Sequence, residues 1–120
     1  KIMNVFKQLN ERVVTWASDK GILKKATPLT QHSKTEEEAN ELYEALFAQN
    51  NDLIFFTNSK GVQKNTQDEI KDAIGDILVT VLIQCRLQNL KPLDCLESAL
   101  DIIEKRNGEM RNGVFVKNKE

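Results

Sequence analysis

No apolar run in this chain approaches the ~20 residues that a membrane-spanning helix needs. The longest, ILVTVLI, is a short piece of a longer helical pattern, so no membrane partner is expected. Basic charge is not in excess either. The 120 residues carry a formal net charge of −1 with 29% charged side chains, a mixed surface without the electrostatic footprint of a nucleic-acid binder. The N-terminal stretch KIMNVFKQLNERV is polar throughout and lacks the apolar segment of a signal peptide, so none is expected. Cysteine is scarce: Cys85 and Cys95 sit in apolar surroundings, without CxxC or histidine-bearing metal spacing. A disulfide scaffold of this size would carry about four or more. Two buried, reduced thiols in a reducing cytoplasmic compartment are the expectation. The single histidine, His32, reads as a polar neighbour rather than a metal ligand.

Two prolines and five glycines leave long uninterrupted segments, and 40% hydrophobic content supplies a core for one domain spanning residues 1–120. Val5, Phe6, Leu9, Val13, Trp16 and Ala17 repeat at helical spacing over about Met3 to Lys20, and Gly21 is placed to stop the helix. A loop, ILKKA, follows. Thr27-Pro28 reads as the N-cap and first residue of a second helix, which fades at QNND. The segment from Asn50 to Asn65 offers a short strand or flap, DLIFFT, and a turn, NSKG. Thr66 and Glu69 have capping-box spacing at the start of a third helix. That helix is apolar on more than one side, as in the centre of a bundle. After NLKP a fourth helix, LDCLESALDIIEKR, precedes Gly108, and the tail MRNGVFVKNKE is expected to extend along the surface. The fold class is all-α, an up-down bundle of about four helices.

Against this plain background the carboxylates stand out. Glu36, Glu37, Glu38, Glu41 and Glu44 crowd one stretch, and no Lys or Arg lies four residues beyond any of them to form the pair that stabilises a solvated helix. Glu38 and Glu41 share a face, with Glu37 one turn before Glu41. On the third helix Glu69, Asp72 and Asp76 follow i, i+3, i+7 spacing. Asp76 lies between AIG and ILVTVLI, on a helix otherwise fit for burial, where an unpaired carboxylate costs several kcal/mol. Two facing acidic stripes form a cage for a hard divalent cation with oxygen ligands, Mg2+ or Mn2+. Glu36 and Glu44 read as solvated, and Glu69 as either cap or ligand.

The motif EExxE at Glu37, Glu38 and Glu41, followed by DEIKDAIGD, resembles the MazG-like, all-α nucleoside triphosphate pyrophosphohydrolases. The flanking blocks TWASDKGI, TQHSKTEEEANEL, KDAIGDILVTVL and EKRNGEMRNGVFVK resemble the small phage and prophage members, in order, over nearly the whole chain except the Asn50–Asn65 segment. The resemblance implies Mg2+-dependent hydrolysis of a nucleoside or deoxynucleoside triphosphate to monophosphate and pyrophosphate, in a homodimer or homotetramer. Glu38, Glu41, Asp72 and Asp76 would hold the metal. Glu37 would orient or deprotonate the attacking water, its pKa raised by acidic neighbours. Where many members carry a glutamate, this chain has Ala73, so Asp72 or Glu69 must supply the remaining ligand; helix geometry favours Asp72, one turn from Asp76. Gly75 reads as a packing position. Lys34 and the cluster Lys105, Arg106, Asn107 and Arg111 are candidates for phosphate, the cluster reading equally as basic charge at a helix C-terminus. Trp16, Gln31 and His32 are candidates for the base, with Trp16 reading first as a core residue. The rivals are a non-enzymatic helical interaction module and a hydrolase of another pyrophosphate compound, such as an alarmone.

Overall fold

A computed structural model describes residues 2–118. It is mostly helical, with the order α1 (Ile2–Asp19), α2 (Ile22–Lys25), α3 (Pro28–Asn50), β1 (Phe55–Thr57), β2 (Gln63–Asn65), α4 (Thr66–Leu87), α5 (Pro92–Ile103), β3 (Gly108–Arg111) and β4 (Val114–Lys117). The chain divides into two compact units, one up to Asn89 and one from Leu90.

In the first unit, α3 starts where the sequence places it. Thr27 caps it in a reciprocal box with Thr30, and Pro28 occupies its first turn. Long helices α3 and α4 run antiparallel. Gln84 Nε2 donates to the Pro28 carbonyl at 2.8 Å, and Gln31 Nε2 to the Thr80 carbonyl at 3.1 Å. Small residues let the two backbones approach: Ala45 and Ala48 on α3 and Ala73 on α4 are buried, as are Ile83 on α4 and Ala17 on α1. Helix α1 packs on α4 and α2.

Several local expectations need correction. ILKKA is not a loop but contains the single-turn helix α2, entered through Gly21 at φ 79°. The cap of α4 is Asn65, whose side chain accepts the Asp68 N–H at 3.0 Å. Thr66 is not the cap because its hydroxyl donates to the Leu53 carbonyl at 2.7 Å and its N–H to the Ile54 carbonyl at 2.8 Å. Those bonds lock the base of the β1–β2 hairpin, paired antiparallel with Phe56 opposite Lys64. Gly75 is no packing position: a Cβ there would meet nothing within 4 Å.

In the second unit the helix ends at Ile103, short of EKR, and the tail is a hairpin rather than a loose extension. Asn112 (φ 51°) and Gly113 (φ 81°) form its turn, with Arg111 opposite Val114. Cys85 is buried as expected, whereas Cys95, on α5, is exposed.

Candidate metal centre

Helix spacing brings the acidic residues of α3 together. Glu37, Glu38 and Glu41 each offer a carboxylate oxygen, all within 4.8 Å of one another. The acidic face of α4 looks at them across the antiparallel contact. Glu38 feels the charge of Asp76, while Glu69 and Asp76 both feel that of Glu41. Glu69 and Asp76 of the second stripe therefore lie within electrostatic range of the first, whereas Asp72 is felt by its own-helix neighbours Glu69 and Asp76.

Burial differs sharply among these acids. Glu38 and Glu69 are 8% and 6% exposed, and Asp76 is half-buried. Asp72 is exposed and borders a groove of about 480 Å3 shared with Asp68, Lys71, Gly75, Asp76 and Val79. Burial raises the Glu38 carboxyl above its ordinary range, with Glu41 and Asp76 adding repulsion. Burial likewise raises Glu69; the Lys64 ammonium opposes this, and Asp72, Glu41 and Asp76 reinforce it. Asp76 is raised by burial, then by Asp72, which repels it and shares a hydrogen bond with it, and by Glu41. Desolvation and like charge are the two conditions that a divalent ion relieves.

The stripes are not without basic neighbours, contrary to the sequence expectation. Lys34 Nζ bonds Glu37 Oε2 at 2.5 Å and lies 3.5 Å from Glu38. The β1–β2 hairpin adds Lys60, at 3.8 Å from Glu37 and 3.9 Å from Glu41, and Lys64, at 3.8 Å from Glu69. Glu37 is thereby corrected: Lys34, chiefly through its hydrogen bond, holds this carboxyl below its ordinary range instead of above it. Glu44 is not simply solvated. Its two oxygens accept from the Ser59 N–H at 2.6 Å and hydroxyl at 3.2 Å, tying the hairpin turn to α3. Glu36 sits on the exposed side, 3.8 Å from His32.

The donor set fits Mg2+ or Mn2+. All candidate ligands are carboxylate oxygens, and octahedral coordination at ~2.1 Å spaces donors by about 3–4 Å, close to the spread already present on α3. Glu69 has no capping work, since Asn65 caps α4, so of the grounds for preferring Asp72 only its spacing one turn from Asp76 remains, against the deeper burial of Glu69.

The substrate-side residues fall in both units. Gln31 is buried and spends its amide on Thr80; Trp16 is exposed on α1. In the second unit, Lys105, Arg106 and Asn107 line a cleft of about 1010 Å3 together with Asp101 and Lys117. Arg111 instead pairs with Glu109 at 2.6 Å. Among the described residues, no helix is long and apolar enough to cross a membrane.

No family model matches the chain, and no solved structure matches it at a significant level. Among curated proteins it is similar to an uncharacterized 18.2 kDa protein in the rep-hol intergenic region of Haemophilus phage HP1 (strain HP1c1), 31% identical over 83 residues. The match covers 69% of this chain and 41% of that protein, so the chain spans less than half the length of the relative it matches.

Proposed function

We propose that the chain is a divalent-metal-dependent nucleotide pyrophosphohydrolase of the MazG-like kind, converting a nucleoside or deoxynucleoside triphosphate to the monophosphate and pyrophosphate. The observation that carries this reading is the EExxE trio on α3 within electrostatic range of Glu69 and Asp76 on α4, with Glu38, Glu69 and Asp76 pushed toward protonation by burial and mutual repulsion. Glu38, Glu41 and Asp76 hold the ion, with Glu69 and Asp72 completing the set. Mg2+ or Mn2+ supplies charge neutralisation and Lewis acidity toward a phosphoryl group.

The chain's own groups do the rest. Glu37 stays ionised beside Lys34 and so accepts a hydrogen bond from an attacking water, orienting it more than stripping its proton. An acidic centre repels a polyanion until its charge is balanced, so binding is ordered, metal before nucleotide. In the second unit the Lys105–Arg106–Asn107 cleft offers cationic donors of the type that hold phosphate.

Self-association belongs to the same reading. Helix α4 exposes Ile74, Leu78 and Val81, and α3 exposes Tyr43, Leu46 and Phe47, more apolar side chain than one solvated face needs. We read these faces as covered by a second copy in a homodimer or homotetramer.

The test is pyrophosphate release over a panel of nucleoside and deoxynucleoside triphosphates, with Mg2+ present and then chelated. Pyrophosphate formed only with metal supports the proposal. Orthophosphate as the sole product, or turnover indifferent to chelator, overturns it. Self-association without any metal-dependent turnover points instead to a helical interaction module.

A further inference from the structure

We propose that Lys60 is the exchangeable one of the cations around the acidic cluster, displaced when a divalent ion enters and then turned toward the anionic ligand. The inference rests on reading the cluster as a metal centre. It goes further by assigning a task to the hairpin that interrupts the two acidic helices.

The hairpin turn is built to hold the root of Lys60. Asn58 Oδ1 accepts both the Lys60 N–H at 3.0 Å and the Val62 N–H at 2.9 Å. The Asn58 N–H bonds the Val62 carbonyl at 2.9 Å, and Gly61 supplies the left-handed residue at φ 79°. One residue earlier, Ser59 is tied to Glu44 of α3 through both backbone and hydroxyl. The base of the hairpin is locked by Thr66. This turn therefore presents one ammonium group to the EExxE carboxylates at a fixed attachment point.

The ammonium itself is loosely held. Its contacts with Glu37 and Glu41, 3.8 and 3.9 Å, are too long for hydrogen bonds, and the side chain is 62% exposed. Nearby, Glu69 is deeply buried and faces Glu41, Asp72 and Asp76. Among the described residues its cation is Lys64 at 3.8 Å, again without a hydrogen bond. Apart from Glu37, which Lys34 hydrogen-bonds, the centre thus contains carboxylates whose charge is balanced at a distance and whose coordination is left open. A lysine on a flexible stem is a hydrated point charge that exchanges readily, whereas a divalent ion binds carboxylate oxygen directly. Once exchanged, Lys60 remains within its stem length of the site, where it offers up to three donors to an anion.

The test uses the full chain with Lys60→Gln and Lys60→Arg. Calorimetric titration with Mn2+ alone should show Lys60→Gln binding about two- to fivefold tighter than the parent, the range expected for losing an exposed ion pair. Inorganic pyrophosphate should bind the Mn2+-loaded Lys60→Gln protein more weakly by a similar factor. Lys60→Arg, which keeps the charge, should stay near the parent in both. Unchanged or weaker Mn2+ binding by Lys60→Gln, or undiminished pyrophosphate binding, overturns the role of Lys60 and leaves the metal centre standing. A parent protein that binds no Mn2+ overturns both.

Discussion

Gln31 donates its side-chain amide to the Thr80 carbonyl at 3.1 Å, across the α3–α4 contact and beside the layer that holds Glu38 and Asp76. Thr35 adds a hydroxyl bond to Thr80 at 3.0 Å. Gln31 is 5% exposed, so its partner is the protein. The expected outcome for Gln31→Ala is a loss of about 1–2 kcal/mol of stability in a melting or denaturant experiment, from a lost buried hydrogen bond and packing. KM for nucleotide should change little. A large rise in KM with unchanged stability would return Gln31 to the base-binding role expected from sequence.

Glu69 and Asp72 separate cleanly by mutation. Glu69 is buried among like charges, and Asp72 is exposed at a groove edge. Glu69→Gln should therefore raise the melting temperature of the metal-free protein, because a buried repelled charge is removed. It should also shrink the gain on adding Mg2+ and lower turnover by at least about tenfold. Asp72→Asn should be milder on all three. The reverse order of severity would restore Asp72 as the principal ligand.

The pH dependence has two opposite slopes. Glu38, Glu69 and Asp76 hold protons to higher pH in the fold than their ordinary values of 4.5, 4.5 and 3.8 allow. The folded state thus binds more protons, and the metal-free protein loses stability as pH rises from those ordinary values through the raised ones. Glu37 acts in the other direction, its contribution lost as pH falls, but it is only half-buried and screened by solvent. Metal needs the ionised forms. The melting gain from saturating Mg2+ should therefore be larger at pH 7.5 than at pH 5. Equal gains at both pH values would mean that these three acids do not hold the ion.

What the sequence reveals of this site follows from where its information is local. Thr27-Pro28 marks the start of α3 unambiguously, and the i, i+3, i+7 spacing alone puts Glu38 with Glu41 and Glu69 with Asp76. The choice between Asn65 and Thr66 as cap is not local, since both residue types cap well. Hydrogen bonds from Thr66 to Leu53 and Ile54 decide it. Lys60 and Lys64 escape notice because a hairpin folds back to bring them over the glutamates, and pair rules for a helix do not see across it. The second hairpin had a visible signal in Asn112-Gly113, a dipeptide that favours the left-handed turn found there.

The apolar outer face of α4 tests assembly directly. Ile74, Leu78 and Val81 follow i, i+4, i+7 spacing and are 46%, 60% and 42% exposed, on the side of the helix turned away from Glu69, Ala73 and Asp76 by helical geometry. On α3, Tyr43 and Phe47 stack with ring centroids 6.3 Å apart while remaining exposed. Leaving these side chains in water forfeits roughly 25 cal/mol for each Å2 of apolar surface that a partner would cover. Light scattering should therefore find the parent chain as a dimer or tetramer at micromolar concentration. Leu78→Lys places a charge in the middle of the face without touching the acidic layer, and it should shift the mass toward the monomer while leaving Mn2+ binding to the carboxylates within about twofold, since distant independent sites add. A parent chain that remains monomeric would show that Ile74, Leu78 and Val81 are not the contact between copies.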